Sequence, residues 1–143
     1  MIIRTIDALI AGRSLVSVRQ DATVRTACGL LNDHNVGALA AMDGGALTGI
    51  MSERDVIRQC LHEPGALDRM RVSDIMTRDP VTIRRSAGLA DAMARMQDGG
   101  FRHLPVLDDD GRVVGMISLR DIPTSYRMMA ERFREYTDGD IPA

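Results

Sequence analysis

An internal duplication constrains this chain more than any other feature of its sequence. Residues 49–55 and 115–121, which lie 66 positions apart, are identical at four of seven positions. Upstream, residues 16–19 resemble residues 81–84 at an offset of 65. The one-residue difference falls in a glycine-rich turn, where an insertion costs little free energy. Because self-similarity at a fixed period marks a repeated architecture, the sequence predicts two copies of one structural unit.

Both copies have the same predicted order of elements, β-α-β-β-α. Each opens with a short β-branched strand, at 16–18 or 81–83, and continues into a helix whose apolar residues recur with helical spacing. A hairpin follows, because two apolar strands flank a turn rich in Asp and Gly. The hairpin strands are predicted at 38–42 and 47–51, and at 103–107 and 113–117. The second helix begins at Ser52 or Ser118. Since neither unit alone is able to bury both faces of its small sheet, we expect the two to pack together as one α/β module with pseudo-two-fold symmetry.

Composition disfavours several classes of function. Apolar residues make up 45% of the chain, which is enough for a packed core, whereas the formal charge of −2 disfavours a general binder of nucleic acid. The four aromatic residues are too few for a base-stacking surface. All 18 basic residues are arginine, which excludes a Schiff-base lysine and a Walker-type phosphate loop. Arginine suits bidentate recognition of phosphate or carboxylate, although a genome rich in arginine codons explains the same bias.

The sequence contains no motif typical of a metal site, a disulfide or a catalytic nucleophile. Cys28 and Cys60 fall on apolar helix faces and are expected to be free thiols. The acidic run at 108–111 lacks the spaced ligands of a calcium loop, so we expect a turn. No apolar run approaches the ~18 residues of a membrane span, and Asp7 interrupts the N-terminal apolar stretch. We therefore expect a cytoplasmic protein that does not bind membranes and is not an enzyme.

Two such units, each ending in Gly-apolar-apolar-Ser-x-x-Asp, resemble a tandem pair of cystathionine β-synthase (CBS) domains. The segment Asp74-Ile75-Met76-Thr77-Arg78-Asp79-Pro80-Val81 is similar to the usual opening of a repeat, and Phe101-Arg102-His103-Leu104-Pro105-Val106 is similar to its middle strand. The resemblance covers about residues 5–125. It divides the chain into repeat 1 at 5–63, a linker that leads into repeat 2 at 64–80, repeat 2 at 72–123 and a C-terminal amphipathic helix at 124–138.

The resemblance implies a ligand. Paired CBS domains bind adenosine compounds (AMP, ADP, ATP, NAD or S-adenosylmethionine) in two central clefts and usually sense them for an enzyme or transporter, and no cofactor is obligatory. Cleft A would combine Val16, Val36 and Gly37 with Ser118 and Asp121. Cleft B would combine Val81, Phe101 and Arg102 with Ser52 and Asp55. The alternative function is a ligand-free scaffold for protein–protein contacts in the same fold.

Each Ser-x-x-Asp motif has two interpretations. A serine at the N-cap with an acid three residues later forms a capping box, in which the serine contributes about 1 kcal/mol. By resemblance, Asp121 and Asp55 would instead bind the ribose hydroxyls, while Ser118 and Ser52 orient the sugar. The motif alone favours capping, and the duplication favours ribose binding, more strongly at Asp121 than at Asp55.

Basic residues in the second repeat predict unequal clefts. The resemblance places Arg102 and His103 on ligand phosphate, whereas the first repeat has Gly37 and Ala38 at these positions. Two further arginines are phosphate candidates or simply face solvent, namely Arg54 and Arg120. Four apolar residues fall where the family sandwiches adenine and are otherwise core residues, namely Val16, Val36, Val81 and Phe101.

Pro123 predicts an interruption of the last helix near Ile122. A proline at the fifth helical position clashes with the carbonyl of Leu119. The separate helix that follows would carry an apolar stripe formed by Tyr126, Met129, Phe133 and Tyr136. We expect the stripe to bury against a second copy in a homodimer, and the alternative is a lid that folds back over its own module.

Overall fold

The structure has the duplicated α+β organisation that the sequence predicts. It is a computed structural model, which describes residues 5–128 and residue 132. The described strands form two small sheets, one of four strands and one of three, and each sheet contains the hairpin of one predicted unit. The repeated β-α-β-β pattern is therefore confirmed, whereas the ends of the two units differ.

A short helix, α1 (Ile6–Ile10), precedes the first unit. That unit consists of β1 (Ser17–Arg19), α2 (Val24–His34), β2 (Ala38–Asp43), β3 (Ala46–Ser52) and α3 (Glu53–Cys60). β1 pairs in parallel with β2, which forms an antiparallel hairpin with β3. The Thr23 hydroxyl caps α2 by accepting a hydrogen bond from the Thr26 N–H at 3.2 Å, and Asn35 ends the helix in the left-handed region at φ 52°.

The second unit repeats this arrangement. Between the units lie α4 (Ala66–Arg69), α5 (Val72–Ile75) and β4 (Thr77–Arg78). The second unit itself consists of β5 (Ile83–Arg84), α6 (Leu89–Gly99), β6 (His103–Leu107) and β7 (Val113–Ser118). The two hairpins share one register, because Ala38 lies opposite Ser52 in the first and His103 lies opposite Ser118 in the second. The serine of each motif therefore ends the last strand of its hairpin.

Each hydrophobic core includes a segment from outside its own unit. α1 precedes the first unit in the sequence, yet it buries Ile6, Leu9 and Ile10 in the core of the second unit. Conversely, Val72 and Ile75 of α5 are buried in the core of the first unit, and β4 pairs antiparallel with β3. The segment at 66–78 lies in the predicted linker at 64–80 and overlaps the predicted repeat 2 from residue 72, and its helix α5 and strand β4 pack on the first unit.

The glycine that opens each repeated motif lies where a segment from outside the unit packs closely against the last strand of the hairpin. A Cβ atom on Gly49 would lie 2.7 Å from the carbonyl oxygen of Thr77 and 2.6 Å from the sulfur of Met76. A Cβ atom on Gly115 would lie 3.1 Å from the side chain of Ile10. Both glycines therefore allow a neighbouring segment to approach the strand closely.

The interruption predicted at Pro123 is present. After β7 the chain makes one turn of 3₁₀ helix (Leu119–Asp121), and Ile122 is extended at φ −78° and ψ 125°. Helical residues resume at 124–128, and Tyr126 packs against the core of the second unit. Met129, Phe133 and Tyr136, the rest of the predicted stripe, lie outside the described residues.

Both cysteines are free, as predicted. Cys60 is buried in the core of the first unit and Cys28 is half-buried beside it. Burial raises the pKa of both thiols, which makes them poor nucleophiles. Within the described part of the chain, no helix is long and apolar enough to cross a membrane.

Candidate ligand-binding groove

One groove is lined by residues from both units. Its volume is about 1360 Å³. Its walls include every residue that the sequence singled out for ligand binding: Val16, Val36, Gly37, Ser52, Arg54, Asp55, Val81, Phe101, Arg102, His103, Ser118, Arg120 and Asp121. Clefts A and B are therefore two parts of one groove. The structure brings these residues together, and their role in binding stays a prediction.

Ser52 and Asp55 form the capping box that their spacing predicts. Ser52 ends β3, and its hydroxyl accepts a hydrogen bond from the Asp55 N–H at 3.2 Å at the start of α3. Oδ2 of Asp55 accepts hydrogen bonds from the Ser52 N–H at 2.9 Å and from the Ser52 hydroxyl at 3.0 Å. Among the described residues, Oδ1 of Asp55 has no hydrogen-bond or ion-pair partner. One oxygen of this carboxylate is thus available to a ligand.

Asp121, the equivalent residue of the second unit, has both carboxylate oxygens engaged. Oδ2 accepts hydrogen bonds from the Ser118 N–H at 2.7 Å and from the Ser118 hydroxyl at 3.3 Å. Oδ1 lies 3.0 Å from Nη2 of Arg13, which follows α1. The sequence favoured Asp121 over Asp55 as the ribose ligand, whereas the structure leaves Asp55 as the more accessible acceptor.

The surroundings of Asp121 keep its carboxyl group ionised. Burial raises the pKa of Asp121, but the contacts from Arg13 and Ser118 lower it by more, so the pKa lies below its usual value. An ionised carboxylate is a pure hydrogen-bond acceptor, which suits a pair of ribose hydroxyls.

His103 lies at the boundary between the two units. A Cβ atom added to Gly37 would lie 3.4 Å from Nε2 of His103 and 3.4 Å from Oε1 of Glu53. The pKa of His103 is lowered, with burial as the largest cause, because burial together with Arg102 and Arg120 outweighs the nearby Asp121 and Glu53, which raise it. Because its pKa lies below the usual value, His103 is neutral at pH 7, and its ring keeps one donor and one acceptor nitrogen.

This geometry agrees with the comparison to known families. The family model for the CBS domain matches residues 7–62 and 72–123, which together are most of the chain. The chain belongs to the CBS domain family. The two repeats that the sequence predicts are therefore confirmed, and the motif serine ends the hairpin of each.

Similar proteins are CBS pairs as well. The CBS domain-containing protein CBSX3, mitochondrial, from Arabidopsis thaliana is 34% identical over 83% of this chain, and the match spans 62% of the plant protein. The crystal structure of a CBS-domain protein from Agrobacterium tumefaciens superposes with a TM-score of 0.76 at 31% identity, covering 85% of this chain and 98% of that one. A structure of CBSX2 in complex with AMP superposes with a TM-score of 0.70 at 26% identity, covering 88% of this chain and 98% of that one.

The groove contains more arginines than the three that were predicted from the sequence. Seven of the described groove residues are arginines and four are acidic, so the groove has an excess of positive charge although the whole chain is at −2. The additional arginines are Arg13, Arg58, Arg78 and Arg127. A signal for two of them was present in the sequence, since Arg13 and Arg78 match at the same offset of 65 as Val16 and Val81. The duplication alone did not show that either residue faces the ligand.

Proposed function

We propose that this CBS pair binds an adenine nucleotide in the groove and regulates a partner through a change in conformation or exposed surface. The free Oδ1 of Asp55, beside the N-terminus of α3, supports this proposal most directly. A carboxylate with one free oxygen accepts hydrogen bonds from vicinal hydroxyls, and a helix N-terminus attracts the negative charge of a phosphate.

The remaining parts of a nucleotide also have matching surfaces in the groove. Val81 is 38% exposed and Phe101 is half-buried, so both offer apolar area to a purine ring. Arg102 and Arg54 line the same groove and present guanidinium groups, which bind phosphate with planar, charge-assisted hydrogen bonds. The excess of arginine favours a phosphorylated ligand over a neutral one.

AMP is the first ligand to test, because a similar CBS pair was crystallised with it. ADP, ATP, NAD and S-adenosylmethionine share the adenosine part and are the further candidates. A ligand-free scaffold is the second candidate function. Two apolar side chains on one face at the end of α3 favour it, since Ile57 is 58% and Leu61 is 67% exposed.

Thermal denaturation with and without ligand tests the proposal. A ligand present at 100 times its Kd stabilises a protein by about 2.7 kcal/mol, which corresponds to roughly 5–10 °C in Tm for a chain of this size. We expect such a shift with at least one of the five adenosine ligands. The chain has no tryptophan, so an absorbance maximum near 260 nm would also reveal a nucleotide retained during purification.

Two neighbouring variants separate ligand binding from helix capping. Ser52→Ala removes the cap and is expected to lower the free energy of unfolding by about 1 kcal/mol. Asp55→Asn keeps one acceptor for the cap but removes the charge, and is expected to weaken riboside binding with little change in stability. Calorimetric titration and urea denaturation of both variants provide the two readouts. The absence of a Tm shift with all five ligands at millimolar concentration would favour the scaffold.

A further inference from the structure

Arg13 occupies the one oxygen of Asp121 that the capping interaction leaves free. Its Nη2 lies 3.0 Å from Oδ1, while Ser118 donates two hydrogen bonds to Oδ2. A ribose approaching Asp121 must therefore displace a guanidinium group. No such displacement is required at Asp55, whose Oδ1 has no partner among the described residues.

The equivalent arginine of the second repeat makes a different contact. Arg78 matches Arg13 at the repeat offset and also lines the groove, but its Nη2 donates to the carbonyl oxygen of Ser73 at 3.1 Å. An ion pair between this arginine and a motif aspartate is therefore not required for a repeat to fold. The contact between Arg13 and Asp121 is a specific property of one half of the groove.

This contact is weak enough for a ligand to replace. The Arg13 side chain is 48% exposed and the Asp121 side chain is 19% exposed, and ion pairs near solvent contribute little to stability. The backbone around Arg13 has other anchors, because Ile6 and Ile10 are buried in the second core and Arg85 forms an ion pair with Asp7. The guanidinium group is thus able to move while α1 stays in place.

We propose that Arg13 is a specificity-determining residue of the groove, which weakens the binding of neutral ribosides at Asp121 and strengthens that of phosphorylated ones. Adenosine has hydroxyls that compete for Asp121, but it offers no anion to the displaced guanidinium group. A nucleotide supplies both, since its ribose takes Asp121 and its phosphate becomes the new partner of Arg13. Asp55 accepts both kinds of ligand. This inference rests on the proposed function, because it assumes that ribosides enter the groove.

The test compares Arg13→Gln with Arg85→Gln in the full chain. Both variants remove one ion pair of the N-terminal segment whose arginine is nearly half exposed, but Arg85 lies outside the groove, so it is the matched control. The backbone amides of Ser118 and Ser52 are the site-specific probes, because each donates to one motif carboxylate. Their NMR shifts are followed during titration with adenosine and, separately, with AMP.

In Arg13→Gln, the Ser118 amide should report adenosine binding that is roughly two- to fivefold tighter, since no ion pair is broken. It should report AMP binding that is roughly tenfold weaker, since a charge-assisted contact to phosphate is lost. The Ser52 amide should keep its wild-type affinities, and Arg85→Gln should match the wild type at both probes.

Two results would overturn the role of Arg13 and leave the proposed function standing. One is an equal change in adenosine and AMP affinity at Ser118, and the other is the same pattern in Arg85→Gln. If neither nucleotide nor adenosine moves either amide in the wild-type protein, the proposed function itself is wrong, and the role of Arg13 is wrong with it.

Discussion

His103 belongs to the second unit but contacts the first, and its charge state is set by both. Glu53 of α3 and Asp121 favour its protonated form, whereas burial and the guanidinium groups of Arg102 and Arg120 disfavour it. Burial prevails, so the pKa of His103 lies below the usual 6.5. In the unfolded chain this residue takes up a proton at higher pH than it does in the folded protein, and the stability that depends on its neutral form is lost as pH falls below about 6.5.

Replacement of His103 is therefore expected to reduce the acid sensitivity of the fold. For the wild-type chain without ligand, we expect a lower Tm at pH 5.5 than at pH 7.5. In His103→Gln, the difference between the two Tm values should shrink, because glutamine takes up no proton. His62→Gln, which removes an exposed histidine outside the groove, is the matched control. An unchanged difference in His103→Gln would show that other groups cause the acid sensitivity.

At this scale, the sequence predicted residues whose role is local and missed those whose role depends on distant contacts. The Ser52–Asp55 box follows from a spacing of three residues, because an N-cap and its partner lie within one helical turn. The contact of Arg13 with Asp121 joins residues more than 100 positions apart, and no local pattern encodes it. The offset match of Arg13 with Arg78 was visible, but their different partners were not.

The exchange of short segments between the units makes each core depend on residues outside its own repeat. α1 fills the second core, and α5 with β4 completes the first. Apolar periodicity predicted the strands and the first helix of each repeat, because one face of each element must be buried, whereas the second helix predicted at Ser118 is a single 3₁₀ turn. Periodicity does not specify which core receives that face, so the exchange could not be predicted from it. Gly49 and Gly115 were the sequence features that could have indicated it, since at each glycine a segment from outside the unit packs closely against the strand.

Truncation of a buried side chain in α1 tests this dependence. Ile6 is fully buried in the second core, and Ile6→Ala is expected to lower the free energy of unfolding by about 2–5 kcal/mol. Hydrogen exchange should accelerate in β6 and β7 before it does in β2 and β3. Met128→Ala, at a residue that is 49% exposed, should change stability by less than about 0.5 kcal/mol. Equal acceleration in both sheets would instead show that the two cores unfold as one unit.

On the scale of the whole molecule, the duplicated sequence forms two halves that have the same hairpin register but different charged side chains. Both hairpins have the same register, and both motifs place a serine and an aspartate on the groove. Arg102 and His103 of the second repeat correspond to Gly37 and Ala38 in the first, and within the described part of the chain only the second motif aspartate, Asp121, is paired with an arginine. The two halves therefore present different charged side chains to the groove.

The association of two copies is the last property that the molecule's surface predicts. The sequence pointed to the C-terminal stripe as the dimer contact, but Tyr126, its first member, packs against the core of its own second unit. Leu61, at the end of α3, is 67% exposed and lies one turn from the exposed Ile57. We therefore expect a homodimer in which this end of α3 is buried against a second copy, since two large apolar side chains one helical turn apart offer a contact for a two-fold symmetric interface.

Leu61→Asp should convert this dimer to a monomer, because the contact would bury an unpaired charge. Light scattering at micromolar concentration measures the molar mass, and circular dichroism confirms that the variant is folded. Deletion of residues 129–143 is the matched comparison, since it removes most of the stripe and leaves α3 intact. We expect the deleted chain to remain dimeric. A dimeric Leu61→Asp together with a monomeric deletion would reverse the assignment and place the contact on the C-terminal stripe.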